Sequence, residues 1–440
     1  MISESEYHSR RVKLLQNIDE GVVILSSTPI KNRSNDTDYR YRQNSDFYYL
    51  TGLNEPHAIV VLSKNSDETR SYLFLNSHDD DFALWNGDST TIESADGRFM
   101  IDELVDIDNF ESKISDILAN HTTLYIDLYD TSEPIVKSKE IASNMRQMRG
   151  VKNYIRVFVD VLSIIRELRA IKSPAEIELI KKAIAVTADA HHEIMRRCTP
   201  ELYEYQLQAT FEYICSDRGA KNQAYEPIVA GGDSANTLHY IANNQRLVGG
   251  DMVLVDAGCE YELYSSDITR SFPVNGKFSS AQKELYNAIL GAQLEIIDAV
   301  KPFITRAELQ SLSERLLSQV LIDLGIINER LEIVLENRLF KRYYPHGIGH
   351  WMGLDVHDPC PYYDENGSSV TLRENMVLTI EPALYFRADD MSVPERFRGI
   401  GIRIEDNILV TEAGCENLSS AIAKTTDEIE AIMASCSSNH

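Results

Sequence analysis

Asp256 closes the apolar run Met252-Val253-Leu254-Val255, where a period of two puts it on the face shared by Met252 and Leu254. A bare carboxylate among core side chains is costly unless it is paired or ligated. Asp267 follows at the head of Ile268–Phe272. If these runs form a hairpin turning near Tyr261 and Glu262, the two aspartates fall opposite each other, with Cβ atoms about 4.5–5.5 Å apart. Alone they repel; a cation between them reverses the sign. The same spacing also fits a strand-end aspartate and a turn aspartate, each solvated. Glu381 ends the run Val377-Leu378-Thr379-Ile380 and precedes Pro382, which holds it extended. In Ile400-Gly401-Ile402-Arg403-Ile404-Glu405 the isoleucines take one face and Gly401, Arg403 and Glu405 the other. That pattern also describes a half-buried strand with a solvent-facing Arg–Glu pair.

The histidines cluster. His346-Gly347-Ile348-Gly349-His350 has the four-residue spacing of helical zinc ligands, but Pro345 and two glycines argue for a loop that presents imidazoles. His357 follows in Gly353-Leu354-Asp355-Val356-His357-Asp358, whereas His239 stands alone in Asn236-Thr237-Leu238-His239-Tyr240. Asp256, Asp267, His350, Glu381 and Glu405 together offer four carboxylates and one imidazole. Such a hard-oxygen set suits Mn²⁺ or a related divalent ion better than a thiolate-seeking metal. Four carboxylates exceed the needs of one dication, and shared carboxylates are how two ions are held about 3.5–4 Å apart.

These residues need a scaffold. Ser173-Pro174-Ala175-Glu176 is a capping box with Pro at the first helical position, and Ile177, Ile180, Ile184 and Ala188 continue at helical spacing. A long helix is therefore expected to open a second domain near residue 171. Leu285, Ile289, Ala292 and Ile296 predict another helix. Thr305-Arg306-Ala307-Glu308 repeats the cap, with Leu309, Leu312, Leu316 and Val320 as the stripe of a third. Strands are expected at Ile228–Ala230, Met252–Asp256, Ile268–Phe272, Val377–Glu381 and Ile400–Val410, an α+β order. The first 160 residues alternate strand-like runs (Gly21–Ser26, Ala58–Leu62, Ser71–Leu75, Thr123–Leu128) with helical ones (Ile101–Leu118, Glu133–Met148), which predicts a smaller α/β domain. His78-Asp79-Asp80-Asp81 reads as a solvated loop.

The net charge is −25, with 43% hydrophobic residues in a chain of 440. A packed core follows, and so does repulsion from nucleic-acid phosphates and anionic membranes. No apolar stretch approaches the length of a membrane span. The polar first twenty residues lack a signal-peptide core. The six cysteines are scattered without a C-x-x-C pair, as expected of reduced thiols in a cytoplasm.

The order Asp256, Asp267, His350, Glu381, Glu405 resembles the five-ligand signature of the pita-bread metallopeptidases, which include methionine aminopeptidase, prolidase and aminopeptidase P. The string from His346 through His350, Trp351 and Asp355 to His357-Asp358 most resembles aminopeptidase P (Xaa-Pro aminopeptidase). So does Tyr41-Arg42-Gln43-Asn44-Ser45-Asp46-Phe47-Tyr48-Tyr49-Leu50-Thr51-Gly52.

The resemblance implies a pita-bread catalytic domain over 171–440, preceded by an aminopeptidase P N-terminal-type domain over 1–170. It implies cleavage before a penultimate proline by a hydroxide shared between two divalent ions, with manganese expected. Asp256 would chelate one ion, Asp267 and Glu405 would bridge both, and His350 and Glu381 would complete one ion's shell. Glu381 would accept the proton from the water. His239 and His357 would contact substrate and oxyanion, and His346 and Arg403 would line the proline pocket or support the ligands. Tyr225 and Tyr385 match tyrosines near the site, and Trp351 is a candidate pocket wall. Asp36 and Trp85 resemble residues that reach a neighbouring subunit's site in a homodimer or homotetramer. Prolidase, restricted to dipeptides, is the alternative. A metal-free peptide-binding relative such as creatinase or a histone-chaperone subunit comes last, since all five ligand positions are kept.

Overall fold

The computed structural model describes residues 2–77, 83–85 and 87–435; the His78–Asp81 loop and Cys436 lie outside them. Two compact units are formed, Met1–Arg169 and Ala170–His440.

The N-terminal unit is built on a mixed six-stranded sheet. Its order is Glu103–Asp106, Thr69–Leu75, Ile59–Lys64, Gly21–Ser26, Thr123–Ile126, Val157–Asp160. Val22, Ile24, Val61, Phe74 and Leu124 from these strands are buried with Ile114 and Leu118 of the helix Phe110–Leu118 and Ile135 of the helix Glu133–Gln147. The expected helix over Ile101–Leu118 is half wrong. Glu103–Asp106 is a strand, parallel to Thr69–Leu75. The Asp102 carboxylate accepts from the Ser71 amide and hydroxyl at 2.7 Å each, which ties this segment to the sheet edge. Asp106 then caps a short 3₁₀ turn that leads into the helix. Val157–Asp160 escapes prediction because it is a short, half-exposed edge strand.

The C-terminal unit is α+β. The helices Pro174–Arg197, Glu204–Asp217, Ser280–Ala299 and Arg306–Asp323 accompany small antiparallel sheets. The predicted capping boxes at Ser173 and Thr305 both form. On the helix Arg306–Asp323, Leu309 of the expected stripe is fully buried, but Leu312, Leu316 and Val320 are only partly buried, and Ser313, Leu317 and Leu321 complete the deepest face. Buried Ser313 and Ser318 break the apolar periodicity there, and Ser313 donates to the Tyr344 hydroxyl.

Two hairpins position the acidic residues. In the first, Met252–Asp256 pairs antiparallel with Thr269–Pro273, and the ladder resumes as Cys259–Tyr261 against Tyr264–Ser265. The chain turns at Glu262 and Leu263, both with positive φ. The turn is thus centred one residue later than expected. Asp256 pairs with Thr269, and Asp267 lies diagonal to it rather than opposite.

In the second hairpin, Val377–Ile380 pairs with Asp406–Val410, and Ala383–Phe386 pairs with Ile400–Arg403. The single strand expected over Ile400–Val410 is therefore two strands in two sheets. The ladder breaks at Glu381-Pro382 on one side and Ile404-Glu405 on the other. The common register carried across the break sets Glu381 opposite Glu405.

Behind the first hairpin, His191 of the helix Pro174–Arg197 is fully buried. Its Nε2 lies 3.0 Å from the Ala257 carbonyl and its ring stands edge-on to Phe211. Burial pushes its pKa down to about 3, against the pull of the Ala257 hydrogen bond. Below about pH 6.5 the unfolded chain takes up a proton that the folded protein refuses, so stability falls as pH falls towards 3. His191 should contribute a slope of about 1 kcal/mol per pH unit across that window. Denaturant melts of wild type and His191→Gln between pH 4 and 6.5 check this: the variant should show the shallower dependence on pH.

Candidate metal centre

Glu381 and Glu405 reach the site from the interrupted ladder, and Asp256 and Asp267 from the first hairpin. His350 comes from the loop that precedes an isolated bridge between Trp351 and Leu378. They meet in a cleft of about 410 Å³ that is also lined by Tyr225, His239, His346, His357 and Arg403. Ligand atoms of Asp256, Asp267 and Glu405 lie within 4.8 Å of one another, as do those of His350, Glu381 and Glu405. The two sets share Glu405. A further set joins Asp267, His350 and His357.

The surroundings fix these side chains. The Tyr225 hydroxyl sits between Asp256 and Asp267 and contacts Oδ1 of each. Arg403 donates to Asp256 Oδ2 at 2.5 Å, to the Tyr385 hydroxyl at 2.6 Å and to Thr269 Oγ1 at 3.2 Å. Thr269 Oγ1 in turn donates to Glu405 Oε2 at 2.7 Å. His350 Nδ1 faces the Trp351 carbonyl at 3.1 Å, which turns Nε2 towards Asp267 Oδ2 at 3.2 Å and Glu381 Oε1 at 3.7 Å. Gly349 passes so close to Thr379 that a Cβ would stand 1.9 Å from its carbonyl oxygen, so only glycine brings His350 to this place. Asn407 holds the Asp267 backbone from both sides. The buried Arg270–Asp406 pair, 2.7 Å apart, anchors the strand next to Glu405.

The electrostatics are those of too many carboxylates in one place. Burial, then the charges of Asp267, Glu381 and Asp256, drives the Glu405 carboxyl far above the usual range. Burial lifts Glu381 to about 7 against the opposing pull of His350 and Arg403. The Tyr225 hydroxyl is raised by burial and by Asp256 and Asp267. His350 is held up at about 9: burial works against its charge, but contact with Asp267 and the charge of Glu381 outweigh it. His346 falls to about 4 through burial and the Arg403 charge. These four carboxylates cannot all be ionised by themselves. Divalent cations would supply the missing charge, and the hard oxygen donors, two overlapping sets and single imidazole fit them.

Of the residues singled out in the sequence, Trp351 is misplaced. It is 3% exposed, packs among Ile296, Leu309 and Leu378, and donates from its indole to the Pro361 carbonyl at 3.1 Å. It does not line the cleft, because the bridge to Leu378 turns its side chain into the core. Tyr385 is buried behind the wall, its hydroxyl between Arg403 and His346 Nε2 at 3.0 Å. His239 and His357 are exposed on the cleft, and the Lys172–Asp358 ion pair, 3.0 Å and buried, ties down the residue next to His357. Asp36 lies exposed in the turn between two short strands of the N-terminal unit, where Trp85 is 84% exposed. Sequence reasoning missed Thr269, Thr379 and Arg306. The threonines carry no signal in a β-rich run, and Arg306 was read only as part of a helix cap.

Residues 178–412 match the model of metallopeptidase family M24. The chain belongs to this family. Residues 7–125 match the aminopeptidase P N-terminal domain. The chain is 36% identical to the Xaa-Pro aminopeptidase of Escherichia coli over 98% of both chains. It is 37% identical to human Xaa-Pro aminopeptidase 3, covering 99% of this chain and 87% of the human one. Among solved structures it resembles E. coli aminopeptidase P with the inhibitor Pro-Leu at a TM-score of 0.94 and 34% identity, over 99% of each. Carboxylates crowded into one buried cleft oppose folding of the metal-free protein. Neutralising one buried carboxylate should therefore not harm the metal-free protein. Glu405→Gln, freed of metal by chelator, should melt at the wild-type temperature or a few degrees above it. Its gain in melting temperature on adding Mn²⁺ should be smaller than that of wild type. Thermal melts with and without Mn²⁺ measure both.

Proposed function

We propose that the protein is a metal-dependent Xaa-Pro aminopeptidase that releases the N-terminal residue from peptides with proline in second position. The observation that carries this reading is the meeting of four carboxylates and His350 in one cleft, in a chain similar from end to end to enzymes of that name. Asp256, Asp267, His350, Glu381 and Glu405 are the residues that would hold the divalent ions. Manganese suits the donors. Bound ions of this kind supply Lewis acidity and a water acidic enough to act as a nucleophile near neutral pH.

The rest falls to the protein. Glu381, on the cleft among the ligand groups, takes a proton from the attacking water and returns it to the proline nitrogen as the C–N bond breaks. His357 and His239, both exposed on the cleft, donate to the substrate carbonyl. Arg403 aligns Asp256 and, through Tyr385, His346. The Xaa-Pro nitrogen has no hydrogen to offer. Recognition of the ring therefore falls to shape, with Leu238, Ile241 and Val356 as the apolar walls of the same cleft.

The five described cysteines are free thiols, four of them buried, which suits a reducing cytoplasm. No helix among the described residues is long and apolar enough to cross a membrane. The exposed Trp85 and Asp36 make the N-terminal unit the candidate surface for a homodimer or homotetramer. Sedimentation of Trp85→Ala should show weaker assembly than wild type.

Activity on an Xaa-Pro-Yaa peptide should appear with Mn²⁺ and vanish with chelator. Asp267→Asn should fold normally, by its melting curve, and lose turnover, because a neutral amide bridges cations poorly. A strong preference for an Xaa-Pro dipeptide over the tripeptide would instead identify a prolidase.

A further inference from the structure

Two arginines line the cleft, and they are placed differently. The Arg403 guanidinium is committed to Asp256, Tyr385 and Thr269. Arg306 opens the helix Arg306–Asp323, where the helix dipole disfavours a cation, so it is not there to stabilise the helix. Its Nε and Nη2 both donate to a single backbone carbonyl, that of Gly349, and the guanidinium lies over the Tyr362 ring at 4.6 Å. Half-buried, it makes no ion pair among the described residues, although the cleft it lines holds Asp256, Asp267, Glu381 and Glu405. A planar cation is thus held in fixed orientation on the cleft wall with its Nη1 edge still to be used, the geometry that suits a carboxylate.

We propose that Arg306 binds the C-terminal carboxylate of short substrates, so that the cleft favours Xaa-Pro-Yaa tripeptides with a free carboxylate over their amides. This rests on the Xaa-Pro aminopeptidase reading. The carbonyl that Arg306 grips belongs to the residue directly before His350, which places the guanidinium beside the ligand cluster. Two residues beyond the scissile bond, extended, span about 7 Å. That length carries the end of a tripeptide from the cluster onto the neighbouring wall.

The test compares kcat/KM for one Xaa-Pro-Leu peptide and its C-terminal amide in the Mn²⁺-loaded wild type, Arg306→Gln and Arg306→Lys. Metal content is measured for each. The wild type should prefer the free acid by about tenfold, mainly through KM. Arg306→Gln should bring the ratio close to one while still cleaving the amide, and Arg306→Lys should keep part of the preference. A ratio in Arg306→Gln within twofold of a wild-type preference, or no wild-type preference at all, overturns the proposal. If neither peptide is cleaved, the aminopeptidase reading fails on its own. The proposal is then decided by calorimetric binding of Pro-Leu against Pro-Leu amide: a free-acid preference that depends on Arg306 sustains it, and equal binding overturns it.

Discussion

Buried carboxylates that face one another are the constraint around which the C-terminal unit is organised. Glu381 and Glu405 oppose each other at the break in one hairpin, and Asp256 and Asp267 share the face of another. Each would be costly alone in the interior, and together they repel. The structure spends much of its polar chemistry holding them: Tyr225 between the aspartates, Arg403 on Asp256, Thr269 on Glu405, Asn407 on the backbone of Asp267. These contacts do not remove the repulsion among the carboxylates. Divalent cations would, and the donor set fits them.

The hairpins meet this demand by departing from regular strands. Both long strands of the second hairpin change sheets, one at Glu381-Pro382 and the other at Ile404-Glu405. The break takes the two glutamates out of the ladder, and the register carried across it leaves them facing each other on one side. Pro382 suits this point because it has no amide hydrogen to leave unpaired. Gly349 serves a similar end, allowing the loop of His350 to press against Thr379. Such local departures from the regular pattern are expected where function competes with packing.

Around the ligands, polar residues divide by depth. Tyr385 and Arg403 are buried and act on other protein groups, while His239 and His357 are exposed on the cleft. Arg306 lies between these classes, anchored by a carbonyl and a ring yet still facing the cleft. This layering separates the groups that shape the ligand cluster from those that face the open cleft.

The helices were legible because capping boxes and apolar stripes are local: Ser173 and Thr305 cap where their neighbours say they should. The acidic and imidazole residues were legible as types, since a carboxylate ending an apolar run is conspicuous on its own. Their arrangement was not. The position of one turn, at Glu262 and Leu263, sets whether Asp267 faces Asp256 or lies diagonal to it, and a shift of one residue cannot be read from alternation. Nor does the alternation in Ile400–Glu405 reveal that the strand is buried on both sides and changes sheets. Trp351 illustrates the same limit: its neighbours His350 and His357 reach the cleft, and only the bridge to Leu378 decides that the indole turns away. Composition and local spacing determine which groups are available and which segments are helical. Register, sheet switching and side-chain direction depend on contacts between distant segments, and those were decided only when the chain packed.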